Sequence, residues 1–279
     1  MAKSAILKSS LAKKYWMALT GLFLCVFLIG HLAGNLQLIF ADALQFNQYA
    51  LFMTSNVAVK ALSYLTYFSI IFHSVDGILL AFQNKKARPV GYAYERQEAN
   101  TKFSSRNMAV LGTLILVFIV THMVHFWARM HFDEKMPLQT TMITVQPGLP
   151  AQEFYLTTTG SYMPKGNVEI RNVTEFYDKN AHVKIAEGYK DLHKITVDFF
   201  RDQNYGLIFT LLYVISMIVL GYHLKHGFAS AFQSLGLNNR KYNSPIRRTG
   251  EWFSIVVPFL FAVIPLYIHF YPSISKLWH

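Results

Sequence analysis

Two stretches of this chain place paired histidines three positions apart inside apolar runs. They are "VTHMVHFW", residues 120–127, with His122 and His125, and "GYHLKHGF", residues 221–228, with His223 and His226. His31 and His73 lie in two further apolar runs. An ionisable side chain is costly in hydrocarbon, and one that sits there usually pairs, relays a proton or holds a ligand. A neutral imidazole offers one lone pair and one N–H, so it can bind a metal ion through one nitrogen while the other donates a hydrogen bond. Taken singly, an intramembrane histidine is more often a hydrogen-bond partner between helices than a ligand. Which chemistry applies depends on which rings face one another, and so on the elements that carry them.

Those elements are apolar spans. Of the 279 residues 53% are hydrophobic and only 15% charged, against about 25% charged in an ordinary soluble domain. Five segments reach the roughly 20 residues that cross a bilayer: about 16–39, 60–83, 107–131, 205–233 and 252–272. The fold class expected is therefore an all-α integral membrane protein, residues 1–279 forming a single membrane domain. It is a bundle of five transmembrane helices with a long polar outer loop, about 132–204, inserted between the third and fourth. The first run follows "KSSLAKKYW" but shows no small-residue cleavage site, so it reads as a retained span and not a signal peptide. Pro258 and Pro265 should kink the fifth span, which neighbouring helices tolerate.

The formal charge of +11 could suggest nucleic acid, but in a membrane protein basic residues mark cytoplasmic loops. Lys3, Lys8, Lys13 and Lys14 precede the first span. Lys85, Lys86, Arg88, Arg96, Lys102 and Arg106 fill the second loop, and Arg240, Lys241, Arg247 and Arg248 the fourth. The first loop is nearly uncharged, and the tail after the fifth span has only Lys276. This places the N-terminus in the cytoplasm and the C-terminus outside, in agreement with five crossings. On the outer side, "TTMITVQPG" and "NVEIRNV" read as short strands. Tyr189, Leu192, Ile195 and Phe199 fall at helical spacing, an amphipathic helix lying along the surface. His182 and His193 in this loop read as solvent-exposed. The single cysteine, Cys25, can form no internal disulfide and cannot alone hold an iron–sulfur cluster; it reads as a small buried apolar side chain.

Depth orders the intramembrane histidines. His31 and His122 each lie about 15 residues, hence about 22 Å, from the inner ends of their spans. His73 and His223 each lie about 10 residues, hence about 15 Å, from theirs. Four histidines on four helices thus form two layers. Two imidazoles facing across an apolar bundle are what a six-coordinate haem needs. The members of each doublet stand only about 4.5 Å apart along the axis, too close for each to hold its own haem. Depth selects His122 and His223, leaving His125 nearer the outer boundary and His226 nearer the inner. "HSVDG" and "HLKHG" share H-x-x-x-G, so Gly77 and Gly227 could leave a hollow for a flat ring, as could Gly34 beside His31. Close helix packing is the other reading of these glycines.

"FLIGHLAGN", "IIFHSVDGILLAFQNKKARP", "LILVFIVTHMVHFW" and "YHLKHGFASAFQSLGLN" together resemble the dihaem cytochrome b membrane subunit of succinate:quinone oxidoreductases, the single-chain, five-helix type found in succinate dehydrogenases and fumarate reductases. The resemblance covers all five spans and their basic loops but not the bulk of the outer loop, about 135–185. It implies two haem b groups, a proximal one on His73 and His223 and a distal one on His31 and His122. It also implies a flavoprotein that oxidises succinate and an iron–sulfur protein, docked on the cytoplasmic face of a bacterial inner membrane. No succinate-oxidising site is expected on this chain. Electrons would leave to a quinone, menaquinone or ubiquinone, near the distal haem, where Asn35, Gln37, His125 and Arg129 are candidate contacts. His226 could contact haem or quinone, with an interfacial role as its alternative.

Asp76, the acidic residue well inside a span, is expected to pair with Lys225, with snorkelling of Lys225 to the cytoplasm as the alternative. A cytochrome b of the quinol:cytochrome c type would carry well-separated histidines on two helices, which the close doublets exclude. The cytochrome subunit of a hydrogenase or formate dehydrogenase would distribute its histidines differently. A non-haem transporter using intramembrane histidines would need neither pigment nor soluble partners.

Overall fold

A computed structural model describes residues 10–87 and 102–275. Lys3, Lys8, Arg88, Arg96 and Lys276, part of the loop-charge pattern, lie outside the described residues. Five helices are long and apolar enough to cross a membrane: Leu11–Phe40, Val57–Ala87, Met108–Phe132, Gly206–Ser234 and Arg240–Tyr271. They are called the first to fifth spans below. Large apolar side chains stand exposed on them, among them Val26, Val110, Val117, Ile215 and Phe259. A water-soluble fold would bury such a surface, whereas a bilayer solvates it.

Short polar residues start the helices. Asp42 Oδ1 accepts the backbone N–H of Gln45 at 2.8 Å and opens the connecting helix Ala43–Ser55. Asn56 Oδ1 accepts from Ala58 and Val59 ahead of the second span. Asp202 Oδ1 does the same for Asn204 and Tyr205 before the fourth, and Asn239 Oδ1 for Lys241 before the fifth. Each satisfies N–H groups that a helix start leaves unpaired.

The first span packs beside the second and the fourth, and the third beside the fourth and the second. These four therefore form a ring in which first and third, and second and fourth, stand across the diagonals. The fifth lies outside the ring, along the fourth and against the first. Cys25 is buried against Met217, Leu220 and Leu224 at the contact of first and fourth spans.

The fifth span continues unbroken as helix from Arg240 to Ser275 through Pro258 and Pro265. A proline leaves the carbonyl four residues before it without its helical donor, and two such carbonyls find other neighbours. The Ser254 carbonyl, freed by Pro258, lies against Gly221 of the fourth span, where a β-carbon would sit 3.0 Å from it. The Ile268 carbonyl, freed by Pro272, accepts Arg201 Nε–H at 2.8 Å. In return His269 Nδ1 donates to the Phe200 carbonyl at 2.6 Å. The outer end of the fifth span and the end of the surface helix thus complete each other's backbone bonding.

The insertion between the third and fourth spans holds two three-stranded antiparallel sheets. One runs β1 (Thr140–Ile143), β2 (Gln152–Leu156), β3 (Tyr162–Pro164); the other β4 (Val168–Arg171), β5 (Glu175–Asp178), β6 (Lys184–Glu187). The two runs expected as strands supply β1 and β4. The amphipathic helix is Leu192–Arg201, capped by Asp191; Tyr189 precedes it. Its apolar face does not lie in the interface. Phe200, fully buried, joins Leu32, Phe46, Val257, Ile264 and Ile268 in one core, so the helix covers the outer end of the bundle. A buried polar knot fixes the insertion there. Asn47 donates to Gln139 Oε1 at 3.1 Å and Asp191 Oδ1 at 2.8 Å, and accepts from the His193 N–H at 2.9 Å. His193 is thus half-buried against Phe46, not solvent-exposed as its loop position suggests; His182 is exposed.

Candidate functional site

The four depth-selected histidines meet in two facing pairs. His31 and His122 have ring centres 5.8 Å apart with planes 88° apart. His73 and His223 have centres 6.2 Å apart at 68°. Each pair crosses a diagonal of the ring, joining spans that are not close neighbours. Among the described residues no hydrogen bond links the members of either pair.

The two pairs occupy separate levels. Gly21 of the first span lies beside His73, and Gly112 of the third beside His223. His31 and His122 each stand ten residues further along those spans, about 15 Å. Both helices give the same offset. It is about twice the offset that the depth argument implied, because the apolar runs do not begin in one plane. The first span is already helical at Leu11, and the second continues to Ala87.

Local contacts set ring orientation. His73 Nδ1 lies 3.1 Å from the Met17 carbonyl, which can only accept, so Nδ1 carries the proton and Nε2 keeps its lone pair. Thr20 Oγ1, 3.4 Å away, sits beside the same nitrogen. Tyr213 Oη stands 3.4 Å from His122 Nδ1. His223 Nδ1 is buried with no hydrogen-bond partner among the described residues, which is uncommon for a native polar atom and asks for a partner. Aromatic rings frame the outer pair: Phe27 stacks on His31 at 5.2 Å, Phe118 on His122 at 5.7 Å, and Phe261 tilts against His31.

Haem, the group the sequence implies, can be tested against this geometry. Two imidazoles that bind one metal ion from opposite sides, at about 2 Å per nitrogen, hold their ring centres roughly 6 Å apart. The observed 5.8 and 6.2 Å meet that requirement. A neutral nitrogen donor set, Nδ1–H anchored to a carbonyl, and an orphaned buried nitrogen fit an axially ligated iron.

His125 lies apart from the pairs. It belongs to a π-helical segment, Met123–Ala128, which begins directly after His122. Such a segment re-aims side chains within a helix and is frequent at functional sites. His125 turns to Phe199 of the surface helix at 4.6 Å and Phe209 at 5.7 Å, and its Nδ1 is buried and unpartnered. Of the other candidate quinone contacts, Arg129, four residues on, acts on it through its charge. Asn35 Nδ2 donates to its own helix at the His31 carbonyl, 2.7 Å. Arg129 pairs with Asp133 at the exposed end of the third span, 3.5 Å. Gln37 opens the short helix Gln37–Phe40. Among the described residues no hydrogen bond or ion pair joins these three to His125.

The glycines divide. A β-carbon on Gly77 would meet nothing within 4 Å, so there is open space beside it, while one on Gly227 would touch Met108 at an ordinary 3.5 Å. The Gly34 hollow is filled by Tyr49, whose hydroxyl would lie 2.5 Å from an added β-carbon. Gly21 and Gly112 were not selected from sequence, yet they lie beside the paired histidines, Gly21 tightly at 3.0 Å and Gly112 at an ordinary 3.6 Å; matching their depth to His73 and His223 would have found them. Asp76 and Lys225 form no ion pair among the described residues, which corrects the expected pairing: Lys225 lies with His226 in a cleft at the basic end. Comparisons with protein-family models, curated proteins and solved structures find no match to this chain.

Proposed function

We propose that the chain is the membrane cytochrome b subunit of a succinate:quinone oxidoreductase, binding two haem b groups. His73 and His223 hold one nearer the basic end, and His31 and His122 hold the other nearer the outer end. The observation that carries this reading is the pair of facing imidazoles at two levels of the bundle, each at the separation one iron requires. Iron so held supplies reversible one-electron transfer within the apolar layer.

The residues' own tasks follow. Met17 fixes the tautomer of His73 and leaves Nε2 its lone pair. Phe27, Phe118 and Phe261 exclude water from the outer pair, and the surface helix closes the bundle end above it. His125, unpartnered and just beyond that pair, is the strongest of the candidate quinone contacts Asn35, Gln37, His125 and Arg129. It can hold or deliver a proton at Nδ1 to a quinone oxygen, menaquinone or ubiquinone. The basic second and fourth loops form the face on which flavoprotein and iron–sulfur partners dock. That face is cytoplasmic in a bacterial inner membrane, with the N-terminus inside and the C-terminus outside.

The test is pigment stoichiometry. The purified full-length chain should carry two low-spin b haems. His73→Ala and His223→Ala should remove one and the same centre, His31→Ala and His122→Ala the other. A colourless protein would favour a non-haem transporter. A pigment lost with His125→Ala but kept with His122→Ala would reassign the outer ligand.

A further inference from the structure

At the basic end, a cleft of about 260 Å³ opens between the segment leading into the third span, the fourth span and the fifth. Lys102, Lys225 and Arg247 converge on it from three separate segments, with Glu251 the single carboxylate among the described lining residues, and Ser104 and Ser230 line it as well. Among the described residues no ion pair joins Glu251 or any other carboxylate to the three cations. Three cations without an ion-pair partner among the described residues, gathered into one cleft with hydroxyl donors beside them, suit an anion of more than one oxygen.

The surroundings say where that anion comes from. Phe103, Tyr222 and Trp252 are exposed around the cleft at 56%, 45% and 69%, and Phe103 and Tyr222 pack ring to ring at 5.7 Å. Aromatic side chains in this position mark the level of lipid headgroups. Directly toward the membrane centre the third and fourth spans present exposed Val110, Leu114, Ile215 and Ile218, a surface for acyl chains. Basic pockets between transmembrane helices on the cytoplasmic side are suited to anionic lipid headgroups.

We infer that this cleft binds the phosphate headgroup of an anionic phospholipid, with its acyl chains along the third and fourth spans. The inference does not depend on haem. Lys225 and Arg247 grip the phosphodiester from two helices, and Lys102 ties the end of the second loop to the same headgroup.

The experiment measures lipid adducts on the full-length chain in detergent by native mass spectrometry, with phosphatidylglycerol against phosphatidylcholine. Phosphatidylglycerol should be retained in preference. Lys225→Gln and Arg247→Gln should each weaken it roughly fivefold, and both together about 25-fold, with the haem spectrum unchanged. Lys102→Gln, outside the transmembrane core, repeats the test without risk to folding. Equal retention of the zwitterionic lipid would overturn the proposal. So would displacement by inorganic phosphate at equal concentration, which would assign the cleft to a free anion. Loss of a haem centre together with the lipid would assign it to porphyrin carboxylates and also overturn it.

Discussion

Gly21→Ala tests the proposed inner haem site without touching a proposed ligand. The new β-carbon would sit 3.0 Å from His73 Cε1 and 3.4 Å from Nδ1, where carbon contacts normally settle at about 3.5–4.0 Å. The ring must therefore move by roughly half an ångström, away from the first span. That span also supplies the Met17 carbonyl, 3.1 Å from Nδ1, so the same displacement stretches the bond that sets the tautomer. Overpacking costs about 1–3 kcal/mol and a weakened hydrogen bond about 0.5–1.5 kcal/mol. Alanine in place of glycine inside a helix returns about 0.8–1.0 kcal/mol. The balance is a loss of about 0.5–3.7 kcal/mol of global stability, and the geometry of the His73–His223 pair is disturbed directly. The assay is the redox-titrated absorbance of the purified protein beside its thermal unfolding. The expected result is a shifted or lost signal from the centre that His73→Ala removes, with the other centre intact. An unchanged pair of signals, or damage to the centre that depends on His31 and His122, would refute the reasoning.

Arg201→Met should leave the Ile268 carbonyl without a donor and cost about 1–3 kcal/mol, read as a lowered unfolding midpoint. Adding Pro272→Ala restores an N–H and should recover most of that loss; absence of recovery would show that Arg201 acts elsewhere. Asn47→Ala removes the centre of the knot with Gln139, Asp191 and the His193 N–H, so hydrogen exchange should rise in β1 and the surface helix but not in the spans. In the outer sheets, Lys184 and Asn172 hold the Glu175 carboxyl below its ordinary 4.5. The Ala181 and Asn180 N–H groups hold Asp178 below 3.8. Both folded values are depressed, so their stabilisation is complete above about pH 4.5 and is lost as pH falls through the folded values. β5 amides should exchange faster at pH 3 than at pH 6, after correction for intrinsic rates; because these groups are solvent-exposed the effect should be small.

Sequence alone determined the five spans, since some 20 apolar residues in a row have few other fates. Depth counting also selected His31, His73, His122 and His223, because rise per residue converts position into height. It could not say which way a ring points around the helix axis. Only tertiary packing decided that the pairs cross the diagonals of a four-helix ring, and that a π-helical segment turns His125 from His122 toward Phe199. The partners of the rings were hidden for the same reason. Met17, Gly21, Tyr213 and Gly112 lie on other helices, and proximity between helices has no local signature. Asp76 and Lys225 share a depth in the sequence, yet no ion pair joins them in the fold. Height is written in the chain; azimuth is settled only when helices pack, because each side chain's direction depends on the neighbours it must fit.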